Sequence, residues 1–427
     1  MALFTSLHRY LGQPPGPITS EMLDAAVADR LPETDDLDWK SKLYAGKELV
    51  KSDFPKDVAA MANRGGGTLV FGITEHEKCA TGREDVGPLG EQYERALRSA
   101  ATSAISPPII GLEILSVGET GNYALVVAVP ATTDAPHLVH KDQFYGAPIR
   151  NNAQTDWMRE PQIEAMYRAR LEQRRHAMDT LDNLYSEAVT NWTSAHKQAW
   201  MVAVAHPRLP ATNPTRPTRD EARAVFESAM KLALVYVGRG AIHPFDNVDT
   251  MNPRPGLRRW FAVNTRTEEK HQWRAAWVAI HHDGSVTVTA AVGGHRASQN
   301  ENNLPNEVTA DAIQAVIADF MALVRAGGER FGASEYEVRV GIEQCEGPGE
   351  HGLKIVTVDN QGFFYDDTSL TLTRYAPVVS TVDAAASADD FYCQVRDLAL
   401  DCVNQGGITG VRQINPPACG EAGLTRP

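Results

Sequence analysis

The stretch SDFPKDVAAMANRGGGTLVFGIT (residues 52–74) decides the fold of the first part of the chain. Ser52 or Asp53 offers an N-cap, and Pro55 sits in the first turn, where its missing N–H costs nothing. Val58, Met61 and Ala62 then give an apolar face at helical spacing. Asn63 and Gly65–Gly67 supply residues suited to the left-handed conformation that ends a helix. TLVFGIT (68–74) follows at once as a buried strand. The pattern predicts a helix, a tight glycine turn and a central strand. The glycines end a helix rather than begin one and so meet the negative end of its dipole. A structural turn therefore fits them better than a phosphate cradle. Arg64, just before them, is a candidate phosphate contact, because guanidinium pairs well with phosphate oxygens.

On the N-terminal side, residues 1–32 read as a short helical extension broken at Gln13–Pro17, with a helix from Glu21 to about Arg30. On the other side, a helix over 89–104, strands around 109–117 and 123–129, an extended piece over 137–151 and a helix over 160–175 complete an α/β unit. Residues 176–235 read as a helical linker carrying a proline-rich loop, PRLPATNPTRPT (207–218). Residues 236–427 alternate strands and helices as a separate α+β domain. Its signals are a hairpin turning at Asp283-Gly284, a helix over 308–326 ended by Gly327-Gly328, strands near 336–343, 354–358 and 362–365, and a last helix over 388–404. The expected architecture is thus two domains, a mixed sheet with helices followed by α+β.

The chain has 427 residues with 41 Lys+Arg against 54 Asp+Glu, a net charge of -13. That balance argues against a protein that coats nucleic acid indiscriminately, and leaves room for a local groove or a site working through metal ions. Five cysteines form no CxxC pair and are odd in number, which fits a reducing compartment better than a disulfide framework. No apolar run approaches a membrane span, and the start lacks a positive region followed by an apolar run, so a cytoplasmic protein is expected.

The densest polar cluster is ETDDLDWK (33–40). On a strand, Asp38 and Lys40 share one face while Leu37 and Trp39 take the other, buried one. A carboxylate and an ammonium side by side on the polar surface of a sheet suit metal-dependent phosphodiester cleavage. The acid helps hold magnesium or manganese, and the lysine neutralises charge building on the phosphate or positions water. Glu33 can supply a second carboxylate. The plain alternative is a solvated salt bridge. No GxSxG element supports a Ser-His-Asp hydrolase, and His76 with Cys79 lacks further zinc ligands. The residues give the C-terminal domain no function. His281-His282 read as exposed turn residues and Trp260, Trp273 and Trp277 as core.

Together these elements resemble the Schlafen AlbA-like domain over about residues 33–171. The resemblance rests on Glu33-x4-Asp38-Trp39-Lys40, the helix ending Ala62-Asn63-x-Gly65-Gly66-Gly67, and the strand Thr68-Leu69-Val70-Phe71-Gly72-Ile73. A looser match lies in Pro136-His137 and Tyr145 to Arg150. It implies a domain of the kind that in some members cuts structured RNA, tRNA especially, using three acids. Here these would be Glu33, Asp38 and Glu75, with Glu77 a near alternative, binding a divalent metal (magnesium or manganese) with Lys40 assisting. Asp at 38 and Glu at 75 depart from the commoner Glu and Asp in opposite senses. No GxxxxGK[ST] supports ATP binding. Arg150 and Arg159 flank the looser match, and one of them, Arg150 in the first place, is expected to line an RNA groove; the resemblance also implies defence or stress response as a setting. Three readings stay open: a metal-dependent endoribonuclease, a nucleic-acid-binding regulator or sensor that does not cut, and an assembly component. The C-terminal domain would engage a protein partner or a second copy.

Overall fold

The computed structural model describes residues 4–141, 144–192, 198–209, 216–264, 274–295, 304–344, 352–358, 364–365 and 370–414. Cys345, Cys419, His271, His351, Trp273 and the turn at 359–361 lie outside the described residues. The chain divides into two units, Met1–Gln173 and Arg174–Pro427.

The first unit opens with two short helices, α1 (Ser6–Tyr10) and α2 (Ser20–Ala28). Strand β1 (Leu37–Lys40), helix α3 (Phe54–Ala62) and strand β2 (Gly67–Phe71) follow. A hairpin of β3 (Ile73–His76) and β4 (Cys79–Arg83) comes next, then α4 (Glu91–Ser103), β5 (Ile105–Ser106), β6 (Glu113–Val117) and β7 (Ala124–Val129). The unit closes with β8 (Leu138–Lys141), β9 (Phe144–Gly146), β10 (Pro148–Asn151), β11 (Gln154–Trp157) and the start of α5 (Glu160–Trp192). Its main sheet has the order β1-β2-β7-β6, with β1 and β2 parallel and the other pairs antiparallel.

Alternation along the strands sorts the core into two layers. Leu69, Phe71, Leu125 and Val127 pack against Val58 and Met61 of α3 and Leu97 of α4. Trp39, Val70 and Val126 pack the other way, against Leu7, Met22 and Leu23. The helices before residue 33 are therefore part of this core and not an extension. They bury apolar side chains that the sheet would otherwise expose.

The glycine turn is structural, as its position after a helix implies. Asn63 stays right-handed at φ -66, and the left-handed residues are Gly65 and Gly66. The N–H groups of Gly65 and Gly66 are spent on the carbonyls of Ala62 and Met61, at 3.2 and 2.9 Å. A Cβ on Gly66 would lie 2.8 Å from the Val129 carbonyl oxygen, so the close crossing of β7 demands glycine there.

The second unit is built on an antiparallel sheet. Its strands are β12 (Trp200–Pro207), β13 (Arg254–Gly256), β14 (Arg259–Ala262), β15 (Ala276–His281), β16 (Val286–Ala291), then β17 (Glu307–Thr309), β18 (Glu335–Glu343), β19 (Leu353–Val358), β20 (Phe364–Tyr365), β21 (Thr371–Leu372) and β22 (Val378–Asp383). Seven of them run in the order β13-β14-β15-β16-β12-β18-β22, while β17, β19, β20 and β21 pair separately. Helices α6 (Arg219–Tyr236), α7 (Ala310–Phe331) and α8 (Ala388–Asn404) complete the unit. Strand β12 shows how the layers form. Met201, Ala203 and Ala205 join the core around α6 and α7, while Val202 and Val204 meet Leu181, Tyr185 and Ala188 of α5 on the opposite face. The segment read as a helical linker thus supplies a central strand. Its unbroken apolar run carries no alternation to mark it as one. Helix α7 likewise runs on through Gly327 and Gly328 to a left-handed cap at Gly332, φ 73. At Gly328 a Cβ would sit 2.6 Å from the Ala333 carbonyl oxygen, so that glycine serves a close approach and not a stop.

No helix among the described residues is long and apolar enough to cross a membrane.

Candidate functional site

Among the described residues strand β1 lies at the edge of its sheet, paired along its length with β2. Leu37 and Trp39 are buried on the helix α2 side, as alternation requires, so Asp38 and Lys40 point together toward α3. The expected polar surface is absent there. Asp38 is 1% exposed, enclosed beneath α3 and β10. Arg150, itself 3% exposed, donates from Nη1 to Asp38 Oδ1 at 3.0 Å and from Nη2 to the Thr34 carbonyl at 3.2 Å. Lys40 Nζ lies 2.8 Å from Asp38 Oδ2 and 3.7 Å from Asp57 Oδ2. The Tyr44 hydroxyl donates to Asp57 Oδ2 at 2.9 Å. Burial would pull the Lys40 ammonium down, but the carboxylates of Asp38 and Asp57 outweigh it and raise its pKa. Burial lifts the Asp57 carboxyl above its ordinary value against the opposing Lys40 charge.

Arg150 reaches this place because Asn63 ties the two chain segments together. The Asn63 amide donates to the carbonyls of His137 and Pro148 at 2.9 and 2.8 Å, and its oxygen accepts from the His137 N–H at 2.6 Å. The looser sequence match around His137 and Arg150 is thereby joined to the end of α3. Arg150 does not line a groove; it is spent inside the protein on Asp38. Arg64 is half-exposed, and its guanidinium forks onto Asp35 Oδ2 at 3.1 and 3.0 Å.

Glu33 approaches from the open edge of β1. Its Oε1 accepts the outward N–H of Trp39 at 3.2 Å, a bond that satisfies an edge-strand donor. Its Oε2 faces Lys78 Nζ at 3.2 Å, and the same ammonium lies 3.7 Å from Glu75 Oε1. Burial, then the charge of Asp38 and the nearby Glu75 carboxyl, push Glu33 up to about 7. Glu75 stands on β3, and Glu77 sits at the hairpin tip with φ 53. The three acids named from sequence therefore meet in one neighbourhood. Lys78, which sequence reasoning missed, stands between two of them. Its only sequence signal was a two-residue turn, Glu77-Lys78, lacking the usual glycine.

A divalent ion needs several oxygen ligands with lone pairs free to converge. Asp38 Oδ1 accepts from Arg150 and its Oδ2 faces the Lys40 ammonium at 2.8 Å, and Lys78 stands between Glu33 and Glu75. Among the described residues no group of three His, Cys, Asp or Glu side chains could hold a metal ion. As arranged, the acids fit internal cations and not a metal. The expected metal ligation departs from this geometry because the counter-charges come from the chain itself.

Because Glu33 holds its proton to higher pH than an unfolded glutamate, ionising it costs stability. That contribution is present below about pH 4.5 and lost as pH rises through about 7. Glu33→Gln is expected to flatten the decline between these values and to stabilise the first unit at pH 8 by on the order of 1 kcal/mol. Thermal melts of both proteins from pH 4 to 8 check this; parallel profiles would refute it.

The family described as Schlafen, AlbA_2 matches residues 33–159, the segment that builds this site. No curated protein matches the chain. Among solved structures, the solution structure of the N-terminal domain of a RecG-related protein from Nitrosomonas europaea is 23% identical, with a TM-score of 0.25. The match covers 33% of this chain and 92% of that one. The DIP2311 protein from Corynebacterium diphtheriae is 17% identical with a TM-score of 0.25, over 35% of this chain and 32% of that one.

Proposed function

We propose that the first unit, whose residues 33–159 match the Schlafen, AlbA_2 family, binds nucleic acid, structured RNA such as tRNA in particular, without cutting it in the arrangement seen here. The observation that supports the non-cutting part is the burial of Asp38, whose Oδ1 accepts from the buried Arg150 and whose Oδ2 is paired by charge with Lys40. A carboxylate so neutralised neither ligates a metal nor repels a phosphate strongly, so the acids do not prevent binding. With Arg150 withdrawn into the interior, the half-exposed Arg64 beside the glycine turn is the candidate surface cation. It reaches a phosphate by exchanging Asp35 for it, a swap of one anion for another.

This reading predicts salt-sensitive binding of tRNA in EDTA, measured by fluorescence anisotropy. Arg64→Ala is expected to weaken binding about equally across sequences and to reduce the slope against log salt by about 1. An unchanged slope would remove Arg64 from the interface; absence of any binding would sink the reading itself.

The metal-dependent endoribonuclease is the second reading, supported by the convergence of Glu33, Asp38 and Glu75 with Lys40 alongside. It requires the internal cations to yield to a metal. A role in defence or stress response belongs to that reading.

A further inference from the structure

The second unit carries a cationic feature of its own. Residues 250–264 hold three arginines and no acid, in a chain of net charge -13. They include the hairpin of β13 and β14, which turns through Leu257 and Arg258 at one edge of the seven-stranded sheet. Leu257 is 87% exposed at the tip, where turns ordinarily place glycine or a polar residue. Arg254 and Arg258 are exposed and make no ion pair among the described residues, and the same holds for Arg216. Arg259 differs, because its Nη1 donates to Glu187 at 2.8 Å and its charge is spent there. The Trp260 indole N–H donates to the Pro217 carbonyl at 2.8 Å and so ties the Arg216 segment to the hairpin. Arg216 and Arg258 share one patch: after burial, their charges hold the His282 imidazole below its ordinary value, against the pull of Asp283. The tip is also held firmly. Arg258 takes the left-handed region at φ 55, a conformation that persists only where contacts hold it, and its carbonyl accepts the His282 N–H at 2.9 Å.

We infer that this hairpin is a nucleic-acid contact of the second unit: Arg216, Arg254 and Arg258 take backbone phosphates, and Leu257 packs against an unstacked base. The occupant follows from the chemistry of the patch. Guanidinium groups fork onto phosphate oxygens, and three of them without carboxylate partners call for a polyanion. A firmly held tip with one large apolar side chain beside arginines suits insertion next to bases, as apolar wedges do. A lipid surface is the poorer complement. Leu257 and Met251, the exposed large apolar side chains of this stretch, bury too little area to anchor a protein there. The hairpin lies outside the family match at residues 33–159 and acts independently of Arg64.

The test is anisotropy of a labelled tRNA pool bound to the full chain in EDTA, across a series of salt concentrations. Wild type, Arg254→Ala/Arg258→Ala, Arg254→Lys/Arg258→Lys and Leu257→Ala are compared, each first melted thermally to show an intact fold. Loss of two phosphate contacts is expected to weaken binding at least about tenfold and to reduce the slope against log salt by about 2. Arg254→Lys/Arg258→Lys keeps both charges and is expected to keep the slope. Leu257→Ala is expected to weaken binding about threefold at an unchanged slope, because an apolar contact releases no counterions. If wild type binds tRNA and Arg254→Ala/Arg258→Ala leaves the slope unchanged, the hairpin contact is overturned and the proposed function of the first unit stands. Wild type that binds no tRNA would overturn both. Vesicles of phosphatidylserine and phosphatidylcholine are run alongside. Vesicle binding that Arg254→Ala/Arg258→Ala abolishes while its tRNA slope stays at the wild-type value would assign the hairpin to a lipid surface instead.

Discussion

Asp38→Ala is expected to destabilise the first unit by about 3–5 kcal/mol, because it leaves the buried Arg150 guanidinium without its counter-charge. Both side chains are almost fully enclosed, Asp38 and Arg150 at 2% and 3% exposure. The loss would be read by hydrogen exchange at the amides of β1 and β2, which report opening of this unit without requiring the whole chain to unfold in one step. Replacing both partners, Asp38→Leu with Arg150→Met, is expected to recover much of the loss, since a pair of apolar side chains needs no compensation. The size of the effect separates two roles. An acid displayed for a metal or substrate is held at some cost to the fold, and its removal leaves stability unchanged or improved. An acid that closes an internal ion pair costs several kcal/mol to remove. Unchanged exchange rates in Asp38→Ala would place Asp38 in the first group.

The second large effect is expected in the other unit. Asp319, in the middle of α7, is fully buried; it lies 2.6 Å from His243 Nδ1 and accepts the Phe245 N–H at 2.9 Å. Asp319→Ala strands both donors inside the core and is expected to cost about 3–5 kcal/mol. Burial would lower the His243 pKa, but its hydrogen bond and ion pair with Asp319 outweigh burial and raise it. The stabilisation from a charged His243 is therefore complete below the unfolded value of about 6.5 and lost as pH rises through the raised one. Hydrogen exchange in α7 peptides should show protection falling above that pH in wild type and no such slope in Asp319→Ala. A wild-type profile flat from pH 6 to 9 would contradict the charged pair.

Much of the first unit was legible because its signals are local. Pro55 near the helix start, the glycine turn after Met61 and the Thr68–Phe71 strand lie where the sequence pattern places them. Asp38 and Lys40 do share a face, as strand alternation dictates. What alternation cannot say is which element covers that face. The enclosing residues, Asp57 and Arg150, lie 19 and 112 positions away from Asp38 and are brought in by tertiary packing and by the Asn63 bridge. For the same reason Arg150 read as a surface cation. Lys78 was missed because its importance comes from where a hairpin docks, not from the residues of the turn. In the second unit, the hairpin at Asp283-Gly284 and the helix Ala388–Asn404 carry their own turn and capping signals. Strand β12 does not, since a strand buried on both faces loses the alternation that would name it.

The central claim is the proposal that the first unit, whose residues 33–159 match the Schlafen, AlbA_2 family, binds nucleic acid while its acids face the protein's own cations. Its most direct test is to incubate a tRNA pool with the full chain in EDTA, magnesium and manganese, following anisotropy for binding and gel mobility for cleavage. The account predicts salt-sensitive binding that is equal with and without metal, and intact tRNA throughout. Metal-dependent fragments that disappear in both Glu33→Ala and Asp38→Ala would contradict it and establish the acids as a catalytic centre.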